Sequence, residues 1–306
     1  MSAGADFSPA SRLPFPVSLS PVFTLVGLVV VIGSVLLGYT MHHGKLGVLW
    51  QVTEFIIIGG AGIGAMIISN PPSILKKTMS AMLGLLKPSP FTQKAYGELL
   101  QLLYDVFQTA RKDGLIALEA HIENPKESAL FKKYPGFCHH HSALAFLCDT
   151  LKVLLTGAVE DHHLAEILDL DLERHHEEEG QVPQALTRVA DAMPGFGIVA
   201  AVLGVVITMG SIGGEASAIG EKVAAALVGT FLGILLSYGI VGPLATAIEG
   251  RMRAEAAYMS CIRTALLSFA RGDAPMTCVE FARRNIEPID RPSFAELEAL
   301  TRRKAA

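Results

Sequence analysis

Few residues in this chain have types and spacings that can do chemistry. Histidines fall in three groups: His139, His140 and His141; His162 and His163; His175 and His176. Histidine is the commonest metal ligand, but adjacent histidines on one helix point in different directions, so these groups build no shared site by themselves. They read as solvated polar surface, and no metal or cofactor is expected. The four cysteines, Cys138, Cys148, Cys261 and Cys278, lack any C-x-x-C spacing and read as buried free thiols. No phosphate loop, nucleophile elbow, H-E-x-x-H helix or dinucleotide fingerprint occurs, so no enzyme is expected. What remains lies within apolar stretches: Glu54, Thr230, Ser237, Pro194 and Pro243. Glu54 is near the outer end of its stretch and reads first as an interfacial structural residue. Thr230 and Ser237, one heptad apart, are the main polar groups of theirs. Each proline removes a backbone N–H and frees a carbonyl that lipid cannot satisfy. Such a proline either shapes its helix or makes a hinge beside an ion path.

The elements that position these residues follow from composition. The chain has 306 residues, 51% of hydrophobic type and only 18% charged, with a net charge of −4. Soluble domains average about 25% charged, so apolar blocks must alternate with a polar region. Near-neutral charge also argues against a nucleic-acid partner. Four stretches reach the roughly 20 apolar residues that a membrane span needs: 21–41, 47–69, 192–213 and 223–248. They pair as two hairpins, joined by residues 42–45 and by a glycine-rich turn at 213–222. The fold class expected is all-α: a polytopic membrane protein with four transmembrane helices and a helical cytoplasmic domain. The divisions are an N-terminal cytoplasmic segment 1–20, a hairpin 21–69, a cytoplasmic helical domain 70–191, a second hairpin 192–248 and a cytoplasmic helical tail 249–306. Each hairpin connection holds one lysine, whereas 70–191 holds twelve Lys and Arg. The positive-inside rule then puts both termini and the large loop in the cytoplasm.

Within the polar region, residues 94–113 place Leu99, Leu102, Leu103, Val106, Phe107 and Ala110 on one helical stripe, closed by Gly114 as C-cap. Residues 115–122 form a short helix stopped by Asn124-Pro125. Ser142 is positioned to cap a helix through Leu155. Residues 161–179 form an acidic helix, helix continues after the last span to about Phe269, and Ser293-Phe-Ala-Glu296 is a capping box for a final helix. In the third and fourth spans, Gly197–Ala201, Ala200–Gly204, and Ala225, Gly229, Gly233 and Ser237 repeat small residues every four positions. Such faces let helices approach closely in lipid. They pack either a tight monomer or an oligomer around an axis, and the number of repeats favours the oligomer. These spans contain no Asp, Glu, Lys, Arg or His, so they line a path at best, and any carrier of protons must come from a partner.

The segments Pro194-GFGIVAAVLGVV, Lys222-VAAALVGTFLGILLSYGIVGPLA, Leu118-EAHIENPKES and RPSFAELE, together with the four-span plan, resemble the MotA family of bacterial flagellar stator subunits. The resemblance implies a multi-pass protein of the bacterial inner membrane that forms a homopentamer around a MotB dimer. MotB would supply the membrane aspartate and a peptidoglycan-gripping domain, and the cytoplasmic loop would push on the rotor protein FliG. By the same resemblance, Pro194 and Pro243 match the prolines coupling ion flow to movement, Arg111 and Glu119 match two loop charges acting on FliG, and Thr230 matches a hydroxyl facing the ion site. Read alone, Arg111 and Glu119 are two solvated charges near a helix break, worth little to stability. Sodium-driven relatives carry Thr where this chain has Ala201, so the driving ion expected is the proton. The roughly twenty residues before the first span depart from the family pattern and receive no role. Alternatives are an ExbB/TolQ-type proton-channel energiser of envelope transport, against which the extra N-terminal hairpin argues, and a passive membrane scaffold.

Overall fold

The computed structural model describes residues 21–157, 160–210, 213 and 215–302; the segment 1–20 lies outside them. Among the described residues the regular structure is entirely helical: α1 (Pro21–Met41), α2 (Leu46–Leu49), α3 (Val52–Ser69), α4 (Pro72–Gly84), α5 (Gln93–Asp113), α6 (Glu119–Glu123), α7 (Pro135–Cys138), α8 (His141–Leu155), α9 (Asp161–Met209), α10 (Ala216–Ile234), a π-helical segment (Leu235–Val241), α11 (Gly242–Ala270), α12 (Pro275–Arg284) and α13 (Phe294–Arg302). Four helical stretches are long and apolar enough to cross a membrane. Their outer surfaces show bare Val29, Ile56, Ile68, Val206 and Ile207, the pattern expected where lipid, not water, is the solvent.

The polar domain has an ordinary aqueous core. Thr92 caps α5 by accepting from the Ala95 N–H. The expected stripe from Leu99 to Ala110 is buried, and Gly114 ends the helix at φ +86°. At the centre, fully buried Tyr258 of α11 stands among the rings of Phe91, Tyr96, Phe137 and His140 at 5.3–6.4 Å. Phe107 stacks on Phe269 at 4.5 Å. Burying each such side chain stabilises by about 1.5–3 kcal/mol.

Long helices join this core to the membrane. α9 has 49 residues, about 74 Å at 1.5 Å per residue, against a hydrocarbon layer of about 30 Å. The divisions placed at 191 and 248 therefore fall inside continuous helix. α11 likewise packs Ala245 and Ile248 on Val182 and Leu186 of α9, then carries Tyr258, Cys261, Ile262 and Ala265 into the domain core.

Local details depart from the sequence reading. Ser142 does not cap α8: the helix starts at His141, after His140, with no side-chain cap. Residues 115–122 split into a 3₁₀ turn (Leu115–Leu118) and α6. The second span breaks at Trp50-Gln51, between α2 and α3. α4 and α12 had no counterpart in the sequence reading. The capping box is present: Ser293 Oγ accepts from the Glu296 N–H at 3.2 Å and Glu296 Oε2 accepts from the Ser293 N–H at 2.6 Å.

Candidate functional site

The site is built on the antiparallel seam of α9 and α10, where backbones nearly touch. A Cβ added at Gly197 would meet the Gly229 carbonyl at 2.8 Å and the Gly233 Cα at 3.1 Å. One at Gly233 would meet the Met193 carbonyl at 2.7 Å, and one at Gly204 the Ala226 Cβ at 2.7 Å. Only glycine permits this approach. Gly197, Gly204, Gly229 and Gly233 are thus used for packing within the chain.

This register brings two expected path residues together. Thr230 Cα lies 3.3 Å from the Cβ position of Gly197, and the Ala201 nitrogen lies 3.2 Å from that of Gly229; both residues are half-buried. Ser237 is fully buried, and its Oγ has no hydrogen-bond partner among the described residues.

The two prolines are separated by the same register. From the Gly197–Gly233 crossing, Pro194 is three residues away and Pro243 ten, a difference of about 10 Å along the axes. Pro194 and Pro243 therefore lie at different depths. Pro243 lies level with the stretch from Val182 to Leu186, which contains another proline, Pro183, inside α9. Just before Pro243 the helix widens into the π segment, where the Gly242 N–H donates to the Ser237 carbonyl five residues back. A π turn is a local change of helical register and is frequent at functional sites. Nothing in the sequence reading pointed to it, or to Pro183.

Glu54 lies in the first turn of α3. Its side chain is only 6% exposed. It shares the buried face of α3 with Ile58 and Gly62, at i, i+4 and i+8, a spacing readable in the sequence. Its Oε2 would be 2.6 Å from a Cβ at Gly229 and has no hydrogen-bond partner.

In the polar domain, Arg111 at the end of α5 and Glu119 at the start of α6 are both exposed across the Gly114 break. Ile116 between them is bare. The arrangement presents two opposite charges beside an apolar side chain, which suits recognition more than stability.

The histidine groups diverge from one another. His162 and His163, expected to point apart, have rings 4.0 Å apart and gather with exposed Glu160. His175 faces Glu255 at 3.6 Å; that carboxylate holds the imidazole pKa up, while His175 holds Glu255 down. His140, half-buried against the aromatic core, is pushed down by desolvation. Cys148, Cys261 and Cys278 are buried free thiols as expected, whereas Cys138 is only half-buried.

Comparison with known proteins matches this architecture twice over. A family model described as Motility protein A N-terminal covers residues 25–114, and one described as the MotA/TolQ/ExbB proton channel family covers residues 140–260. Motility protein A of Salmonella typhimurium is 43% identical over 275 residues, covering 90% of this chain and 93% of its own. The Escherichia coli protein of that name is 42% identical over the same shares. Chemotaxis protein LafT of Vibrio parahaemolyticus is 36% identical over 89% of this chain and 96% of its own. Among solved structures, the C. jejuni MotAB structure superposes with a TM-score of 0.71 at 20% identity, covering 89% of this chain and 98% of that one. The chain belongs to the motility protein A family of flagellar stator subunits.

Proposed function

We propose that this chain is the wall and lever of a proton-driven stator. Five copies surround a dimer of a MotB-like partner in the bacterial inner membrane, with both termini and the polar domain cytoplasmic. The partner's membrane aspartate carries the proton past Ala201 and Thr230, and Arg111 and Glu119 push on a FliG-like rotor protein. The observation that carries this reading is one construction: an uncharged seam of two spans whose helices continue without a break into the polar domain. A change at the seam is thereby transmitted through α9 and α11 instead of being absorbed by a loop. Pro194, Pro243 and the π segment are the places where those helices can bend. Proton drive fits the seam chemistry. Sodium needs several oxygen ligands, and Ala201 offers a methyl group where an oxygen would be needed. A proton needs only a carboxylate, and apolar surroundings bring an aspartate pKa towards working pH. The match to the N-terminal family model, which spans the first hairpin, favours this reading over an ExbB/TolQ-type energiser.

The reading is tested by co-expression with a one-span, peptidoglycan-binding partner in cells lacking their own stator. Swimming should return only when both chains are present. In the same cells, Lys45→Cys should be labelled by an impermeant thiol reagent and Lys126→Cys should not. Both positions are exposed, unlike half-buried Cys138, which would report poorly. Labelling of Lys126→Cys in intact cells would reverse the orientation.

A further inference from the structure

We infer that Glu54 is a second proton-binding group of the ion path, a relay that loads protons from the side of the short connections and hands them to the carboxylate brought by the partner. The inference rests on the stator reading above and adds a residue of this chain to the transfer itself.

Four observations support it. First, Glu54 is buried with an unpartnered carboxylate oxygen. Burying a carboxyl group without a hydrogen bond is costly, and an apolar side chain there would be the more stable choice. Second, among the described residues no cation is paired with it. α2 and α3 carry no other titratable side chain. α9 carries none from Ala192 to Met209. On α10 the only charges, Glu221 and Lys222, lie seven or eight residues before Gly229, about 10–12 Å along the axis. The nearest charge before α2 is Lys45, which precedes it in sequence and is exposed. Third, the carboxylate is aimed at the seam. The space left by the missing side chain of Gly229 holds Oε2, with the Ala200 Cβ and the Ala201 nitrogen lining the same space at 3.1 and 3.2 Å. Thr230 follows Gly229 directly. Glu54 thus sits beside the two residues already assigned to the path. Fourth, it is the only Asp, Glu, Lys, Arg or His among the described residues of the four spans between 21–41, 52–69, 192–209 and 223–248, and an ionisable side chain at such a place serves transport more often than stability.

The step is a simple proton transfer. A hydronium ion on the connection side gives its proton to Glu54 Oε2, leaving water and a neutral carboxylic acid. The O–H bond then breaks towards the partner's carboxylate, which becomes the neutral acid, and Glu54 returns to its anion. No electrons or heavy atoms move. Gly229 keeps the acid at the seam, since any larger residue would displace it.

The test uses motors containing the full chain and its partner, with Glu54→Gln, Glu54→Asp and Gly229→Ala. Rotation at low load, where ion transfer limits speed, is compared with stall torque while external pH is varied. Glu54→Gln should assemble and keep most of the stall torque, lose at least about tenfold in low-load speed, as expected for removal of a proton-transfer group, and lose the pH dependence of that speed. Glu54→Asp should recover much of the speed, and Gly229→Ala should behave like a partial Glu54→Gln. In the purified complex, an infrared carboxylic-acid band that grows on acidification should vanish with Glu54→Gln. Unchanged low-load speed at every pH, or an infrared band unaffected by the substitution, would overturn the inference. Failure of both Glu54→Gln and Glu54→Asp to assemble would overturn it in favour of a structural role. If wild-type rotation ignores a protonophore, the stator reading itself fails, an outcome distinct from either of these.

Discussion

The membrane hairpin and the polar domain are held together by opposite means. The domain core is filled by large side chains, with Tyr258, Phe107, Phe131 and Phe137 all but removed from solvent. The α9–α10 seam is made by leaving side chains out, at Gly197, Gly204, Gly229 and Gly233. Water drives the first arrangement, because apolar area leaves contact with it. Lipid gives no such drive between helices, so close backbone contact has to do the work. The domain is therefore damaged by removing atoms and the seam by adding them.

That contrast sets the order of expected effects. Tyr258→Ala should be the most damaging, costing about 3–5 kcal/mol in domain stability and seen as a lowered midpoint in thermal unfolding of the detergent-solubilised chain. Tyr258→Phe should cost almost nothing, because the hydroxyl has no partner to lose. A large loss with Tyr258→Phe would show that the packing account of the core is incomplete.

Gly233→Ala should cost less, about 1–3 kcal/mol, because its single added carbon meets the Met193 carbonyl at 2.7 Å. Gly60→Ala, where added carbon meets nothing within 4 Å, should be neutral or slightly stabilising. Equal behaviour of the two in assembly assays would contradict the seam geometry.

Smaller in stability but large in function, Pro194→Leu and Pro243→Leu should restore a backbone N–H and straighten the helix locally. Motors should assemble yet turn poorly. Because the prolines lie at different depths, the two variants should differ in how load affects speed. Unchanged motility in both would reduce these prolines to helix shaping.

Charge reversal at Arg111 or Glu119 should be the mildest, within about 0.5 kcal/mol of wild-type stability. Swimming should fall nonetheless, and a compensating charge on the rotor protein should restore part of it. Normal swimming with both reversals would remove these residues from the rotor contact.

The sequence was most legible where signals are local. The α5 stripe, the Gly114 stop and the Ser293–Glu296 box each depend on residues within a few positions of one another, and each is present. The four spans were legible because hydropathy over about 20 residues is a strong signal. What escaped depends on the pairing of distant segments. Which glycine meets which, and hence the depth of Pro194 against Pro243, follows from the α9–α10 register, on which single-chain periodicity is silent. The burial of Glu54 escaped for the same reason: it is made by neighbours across the seam, such as Gly229. Ser142 was assigned to a cap because its type suits one, but α8 already begins at His141, ahead of it. α12 is short, and its apolar positions are too few to stand out.

Proton movement along the Ala201–Thr230 seam as the source of rotation is tested most directly by swimming speed at fixed pH as sodium is replaced by potassium, with and without a protonophore. Speed should be independent of sodium and abolished by the protonophore. Speed that follows sodium and survives the protonophore would contradict it.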